Sequence, residues 1–339
     1  MPTSCSRPKE TSFFINTLLL GQPRSAADEG QAMENEIAQQ TIARIQKSLA
    51  NKIKREPIHD TLSVLDAKGQ VPSLTIVLVQ EIDRFNIALG IIHDSLVNLS
   101  KAIKGLVVMS EELENVFKAL LSNQVPASWA KRSFLSIKPL PSYISDFQRR
   151  IDFIQQWAEN GAPRSYWISG FFFPQSFLTG VLQTYARRRV LPIDSLKIDF
   201  DVFERELVQQ DFFEMHTNNM SDQKLYGNLP ECTDAVINVH GIFIEAARWD
   251  LSKGGLCDAN FGELFSRMPV VRFKPCLEIS STVRYEAPLY KTQQRSGVLS
   301  TTGHSTNFIL AVLLRSHNDP EFWIMRGTAL VSAVLENIC

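Results

Sequence analysis

Ser165–Arg189, SYWISGFFFPQSFLTGVLQTYARRR, is where the chain passes from helical to sheet-like periodicity. Tyr166-Trp167-Ile168 reads as a short buried strand or extended segment. Gly170 is expected to supply a backbone angle that other residues resist. Pro174 suits a first helical turn, where its missing N–H would be unpaired anyway. Phe177, Leu178, Val181, Leu182 and Tyr185 follow at helical spacing. Arg187, Arg188 and Arg189 crowd the end, where cations complement the helix dipole. A glycine turn that opens a helix can cradle phosphate. Here, however, Phe171-Phe172-Phe173 fill the turn with bulk where a phosphate loop needs bare backbone. The stretch reads as a packed corner.

Upstream of that corner the chain is helical. Phe13, Phe14, Ile15, Leu18, Leu19 and Leu20 suit a short helix stopped by Gly21-Gln22-Pro23, and Ser25–Gly30 reads as a loop. Glu34–Lys54 carries Ile37, Ile42, Ile45 and Leu49 at amphipathic spacing. Leu74, Leu78, Ile82, Phe85, Leu89, Ile92, Leu96, Leu99 and Ile103 then alternate spacings of four and three, an apolar seam on one long helix ending near Gly105. Such a seam suits a coiled-coil dimer or a helix packed in a bundle. It stops after about four heptads, which favours the bundle. Ser110-Glu111-Glu112 looks like a cap with acidic first-turn residues, opening a helix through Leu121. Trp129 and Phe134 anchor a proline-rich loop, Pro126–Pro141. Tyr143, Phe147, Ile151, Ile154 and Trp157 mark a further helix stopped at Asn160-Gly161.

Downstream the period changes to two. Leu196–Val202 alternates apolar and polar residues, as a half-buried strand does. Gln209–Asp234 is polar and irregular, a loop. Ala235–Glu245 reads as one or two strands bending at Gly241. Val270–Lys274, Tyr285–Lys291, Phe308–Leu314 and Thr328–Leu335 complete the strand set. The expected fold class is α+β: a helical bundle followed, from about residue 195, by a small antiparallel β-barrel-like domain.

Composition bounds function by exclusion. The formal net charge is −1 with 21% charged residues, so no overall basic footprint suggests nucleic acid. Lys291, Arg295, Arg315 and Arg326 are scattered without interleaved aromatics, which disfavours RNA. No apolar run reaches the roughly 20 residues of a membrane span. Met1–Glu10 lacks a signal-peptide core. Cys5, Cys232, Cys257, Cys276 and Cys339 form no CxxC pair and read as reduced thiols, pointing to the cytosol. There is no GxxxxGK[ST] and no GxSxG. His59, His93, His216, His240, His304 and His317 show no metal spacing. In Ser300–Asn307, STTGHSTN, hydroxyls flank His304, but adjacency in sequence does not supply nucleophile–base geometry. A turn whose side chains bond nearby backbone is the better reading. No catalytic, cofactor-binding or metal-binding residue is therefore expected.

Several segments, in order, resemble the C-terminal end of dynein heavy chains. They are Val79–Asn86 (VQEIDRFN), Lys101–Glu114 (KAIKGLVVMSEELE), Trp167–Arg188, Gly241–Asp250 (GIFIEAARWD), Tyr290–Phe308 (YKTQQRSGVLSTTGHSTNF) and Trp323–Leu330 (WIMRGTAL). The STTGHSTN form looks most like axonemal heavy chains, particularly the single-headed inner-arm type. The resemblance implies that residues 1–105 are the end of the sixth AAA+ module and that residues 106–339 are the C-terminal domain, helical to about 190 and barrel-like from 195. It implies a minus-end-directed microtubule motor of cilia and flagella, in which this part braces and regulates the AAA+ ring without a nucleotide site or enzymatic activity of its own. ATP and magnesium would belong to upstream modules. Partners would be those modules, the light and intermediate chains and microtubules, with no nucleic acid or membrane. Localisation would be the cytoplasm, cytoskeleton and axoneme, and the chain would be a fragment of a longer one. A free-standing adaptor using the helix 74–103 is the alternative. Ala246, where a glycine is common, Phe322, where a histidine often precedes the tryptophan, and the long loop Gln209–Asp234 depart from the family pattern.

Overall fold

The computed structural model describes residues 26–49, 51–54, 71–203, 229–233, 235–279, 284–295, 297–298 and 306–334. Helix α1 (Ala26–Ser48) begins inside the segment expected to be a loop and ends before Lys54. Helix α2 (Ser73–Ile103) carries the apolar seam, and Leu78, Ile82, Phe85, Leu96 and Leu99 on it have no exposed surface. Full burial of such side chains contributes roughly 1.5–3 kcal/mol each, so this seam is a principal source of stability. The chain itself fills the seam: α2 shares one hydrophobic cluster with residues of α3 (Glu111–Leu121), α5 (Leu140–Asn160) and α6 (Pro174–Arg189). The cluster continues into the strands without a break at Gly105.

Local chemistry fixes the helix ends and loops. The Ser110 hydroxyl accepts from the Leu113 N–H at 3.3 Å, capping α3 as its sequence suggests. Asn86 brackets Ile53, accepting from its N–H at 2.8 Å and donating to its carbonyl at 3.1 Å, which ties the segment after α1 to α2. A four-residue helix, α4 (Ala127–Ala130), interrupts the proline-rich loop. Its Trp129 is buried, and the indole N–H donates to Ser95 Oγ at 2.8 Å. Phe134 stacks on Tyr143 with ring centres 5.4 Å apart.

Eleven strands lie among the described residues: β1 (Tyr166–Trp167), β2 (Lys197–Val202), β3 (Ile237–His240), β4 (Phe243–Glu245), β5 (Ala247–Asp250), β6 (Gly255–Asp258), β7 (Phe265–Arg267), β8 (Val271–Cys276), β9 (Arg284–Tyr290), β10 (Phe308–Arg315) and β11 (Ala329–Val331). A one-and-a-half-turn helix, α7 (Pro320–Met325), precedes β11. The strands make three sheets, ordered β1-β3-β8-β2, β10-β9-β11-β4-β7 and β5-β6.

This corrects the barrel expectation, because none of the three sheets closes. It also corrects the purely antiparallel expectation, since β1 with β3 and β11 with β9 pair parallel. The physical reason lies between Ile237 and Asp250. Gly241 (φ +81°) and Ala246 (φ +59°) take left-handed backbone and cut one apolar run into β3, β4 and β5. Each piece then joins a different sheet. The hairpin β5–β6, strand β7 and helix α7 are absent from the strand and helix set read from periodicity, since strands of three or four residues carry too few alternations to register. Gln209–Asp234 lies largely outside the described residues.

Ala246 holds a conformation that costs an L-residue roughly 1–2 kcal/mol, while its N–H donates to the Leu264 carbonyl at 2.8 Å. Glycine would relieve the strain but add freedom to the unfolded chain. Ala246→Gly is expected to stabilise the chain by about 0.5–1 kcal/mol, seen as a higher urea midpoint at unchanged slope.

Candidate functional site

The corner between β1 and α6 is held by side chains from two helices and by contacts to the sheets. After β1, residues Ile168–Gly170 form a single 3-10 turn, shortening the strand read from Tyr166-Trp167-Ile168. Gly170 is not in the left-handed region. Space, not backbone angle, demands it: a Cβ there would stand 2.7 Å from Phe153 Cδ1 and 2.8 Å from Trp167 Cε3. A Cβ on Gly241 would stand 2.5 Å from Trp167 Cδ1. Two glycines therefore form a slot for one indole, and this slot holds the corner against β3 and β4.

The three consecutive phenylalanines separate. Phe171 enters one aromatic cluster, stacking on Phe177 at 4.2 Å and meeting Trp157 edge-on at 6.0 Å. Phe172 enters another, edge-on to Phe85 of α2 at 5.5 Å. Phe173 remains 42% exposed, with Arg84 and Lys291 over its ring. Offset and edge contacts of this kind add about 0.5–1.5 kcal/mol per pair beyond area burial.

Two buried charges hold the backbone between them. Glu81 of α2 accepts from the Phe172 N–H with one carboxylate oxygen, and with the other from the Phe173 N–H at 3.1 Å and from Arg84 Nη1 at 2.8 Å. On the opposite side Arg150 of α5 donates to the Ser169 carbonyl and to the Phe171 carbonyl at 3.3 Å. Its Nε donates to Asp146 Oδ2 at 2.8 Å, and its guanidinium lies 3.8 Å from the centre of the Phe134 ring. Asp146 also takes Lys138 at 3.3 Å. The corner presents N–H groups to an anion and carbonyls to a cation within five residues, so the helical layer grips it from both sides. Ser169 Oγ donates to the Ser332 carbonyl, and Gln175 Nε2 to the Phe308 carbonyl at 2.8 Å, carrying the grip on to the five-stranded sheet.

The two carboxylates respond to burial differently. Burial pushes Glu81 above its ordinary range, against the pull of the Phe172 N–H and Arg84. Burial also pushes Asp146 up, but Arg150 and Lys138 outweigh it and hold the carboxyl below its ordinary value. Burial raises the Tyr143 hydroxyl to about 12, and the hydroxyl donates to Ser133 Oγ at 2.6 Å. Ser165 Oγ and His240 Nδ1 lie 2.9 Å apart in a buried contact.

No group of three or more metal-ligating side chains lies among the described residues, and no helix there is long and apolar enough to cross a membrane. Cys232, Cys257 and Cys276 are free thiols. His304 and the rest of 300–305 lie outside the described residues. The phosphate-cradle alternative for Gly170 fails on geometry, since the N–H groups of Phe172 and Phe173 already serve Glu81. The Glu81 and Arg150 contacts escaped the motif reading, yet a signal was present. Glu81 is three residues after Leu78 and four before Phe85. Asp146 is three residues after Tyr143, and Arg150 is three after Phe147 and four before Ile154. A charge on an otherwise apolar helix face must find a buried partner.

Asp146→Asn leaves the Arg150 guanidinium buried without its counter-charge and is expected to destabilise the chain by about 3–5 kcal/mol in urea unfolding. A carboxyl held low in the folded state stabilises above its unfolded pKa of about 3.9 and loses that stabilisation as pH falls through the lower folded value. The variant is therefore expected to show a shallower fall in stability from about pH 5 downward than the unaltered chain.

Residues 8–332 match the family described as the C-terminal domain of the dynein heavy chain. The expected boundary at residue 105 falls inside that span. Dynein axonemal heavy chain 6 of Homo sapiens is 45% identical over 331 residues, covering 97% of this chain and 8% of the relative. Dynein axonemal heavy chain 12 of Mus musculus is 43% identical over 261 residues, 76% of this chain and 8% of the relative. Dynein axonemal heavy chain 1 of Homo sapiens is 37% identical over 327 residues, 96% of this chain and 7% of the relative. The 339 residues thus span less than a tenth of the length of these three relatives. The protein belongs to the dynein heavy chain family and carries its C-terminal domain.

Proposed function

We propose that this chain serves as the C-terminal end of an axonemal dynein heavy chain, a minus-end-directed microtubule motor of cilia and flagella. In this reading it braces and regulates the AAA+ ring and hydrolyses no nucleotide itself. Its partners are the upstream modules of the same heavy chain and, through the whole motor, microtubules and the light and intermediate chains. The STTGHSTN form of Ser300–Asn307 favours the single-headed inner-arm group. The observation that carries the reading is the family match across residues 8–332, with axonemal heavy chains as relatives over most of the sequence.

The physical argument for a brace is the corner itself. A part that passes load between a ring and its own sheets must resist shear at its junctions. Here four backbone groups of residues 169–173 are held by two oppositely charged side chains from two helices. The alternative, an adaptor that binds through the 74–103 helix, is disfavoured because that seam is filled from within the chain.

A mild change separates bracing from mere folding. Arg150→Lys keeps the charge but loses the planar fork that reaches Asp146 and the carbonyls together. In a full-length heavy chain, the variant is expected to alter microtubule gliding speed while nucleotide-free microtubule binding is retained. Unchanged gliding speed by a variant whose corner is demonstrably loosened would count against the brace. So would ATP turnover by the purified 339-residue chain.

A further inference from the structure

Beside the charged corner lies an open cleft of about 420 Å³ that the grip itself does not use. Its walls include Arg84, Ser133, Phe134, Leu135, Phe173 and Lys291. Two of these are cations with spare capacity. Arg84 Nη1 donates to Glu81, and the guanidinium has further N–H donors that bond nothing among the described residues. The Lys291 ammonium sits 5.3 Å from the centre of the Phe173 ring and has no oxygen acceptor among the described residues.

Burial lowers the pKa of Lys291, and the nearby Glu81 only partly opposes this. Glu81 does not bond the ammonium; its oxygens accept from two backbone N–H groups and Arg84 instead. The local balance is two cations against one engaged anion. A half-buried ammonium without an acceptor is costly, and a second anion in the cleft would remove that cost. The exposed faces of Phe173 and Leu135 offer an apolar rest for whatever carries it.

We propose that this cleft binds an oxyanion, a carboxylate or phosphate group, between Arg84 and Lys291 over the ring of Phe173. Such a site would let an acidic group set how tightly the helical layer and the segment after β9 stay together. The proposal stands apart from the motor reading, and its test needs only the isolated 339-residue chain.

Backbone amide spectra of the unaltered protein are recorded against inorganic phosphate and, separately, against the blocked dipeptide Glu-Phe, with blocked Gln-Phe as control and ionic strength matched by chloride. Saturable shifts at Phe173 and Lys291 with phosphate assign a free oxyanion. The same shifts with Glu-Phe alone assign an acidic side chain, and either result supports the site. Lys291→Met is expected to weaken binding about tenfold or more, and Lys291→Arg to restore most of it. No shift at these amides with either probe, or equal affinity in the folded Lys291→Met variant, overturns the proposal. Should Lys291→Met fail to fold, the unaltered protein decides alone by where its shifts fall.

Discussion

The rest of the structure depends on the way residues 169–173 are held. A backbone corner with no regular partner must satisfy its N–H and carbonyl groups inside the protein. Glu81 supplies acceptors on one side and Arg150 supplies donors on the other. Each charge is expensive to bury and is tolerated because it is paired and hydrogen-bonded. Arg150 has Asp146 and two carbonyls, and Glu81 has Arg84 and two N–H groups. Neither charge can be removed without stranding the groups it satisfies, so the corner behaves as one unit with α2 and α5.

From that corner the sheets follow. With the backbone fixed, Trp167 enters the slot between Gly170 and Gly241, and β1 pairs with β3. The left-handed bends at Gly241 and Ala246 then send β4 and β5 to separate sheets. The three phenylalanines divide the same way, one to each of two aromatic clusters and one to the cleft. Side chains adjacent in sequence thus tie together layers that are distant in sequence.

Much of the helical part was legible, for reasons that can be named. The seam from Leu74 to Leu99 has a period only a helix satisfies, and Ser110 announces its cap chemically. The corner was legible as a corner, but its reason was not. Gly170 looked like a backbone requirement and proved to be a spatial one, because Phe153 and Trp167 reach it from positions that no local pattern reveals. The barrel failed because alternation reports a strand's faces and not its neighbours. One turn at Gly241 and a second at Ala246 redirected an apparently continuous run. The buried charge contacts join residues as far as 92 positions apart, and sequence showed only that charges sat on apolar faces.

The chain belongs to the dynein heavy chain family, and the role proposed for it is that of a brace. A domain with that proposed role would gain from a junction that opens only when the whole domain opens. Native-state hydrogen exchange at the Phe172 and Phe173 amides measures that property directly. If the grip of Glu81 is what holds the fold together, both amides exchange only through global unfolding, with an opening free energy equal to that of the α2 core and the same denaturant dependence. Exchange of these two amides by a smaller, denaturant-independent opening, while the core of α2 stays protected, would contradict the account.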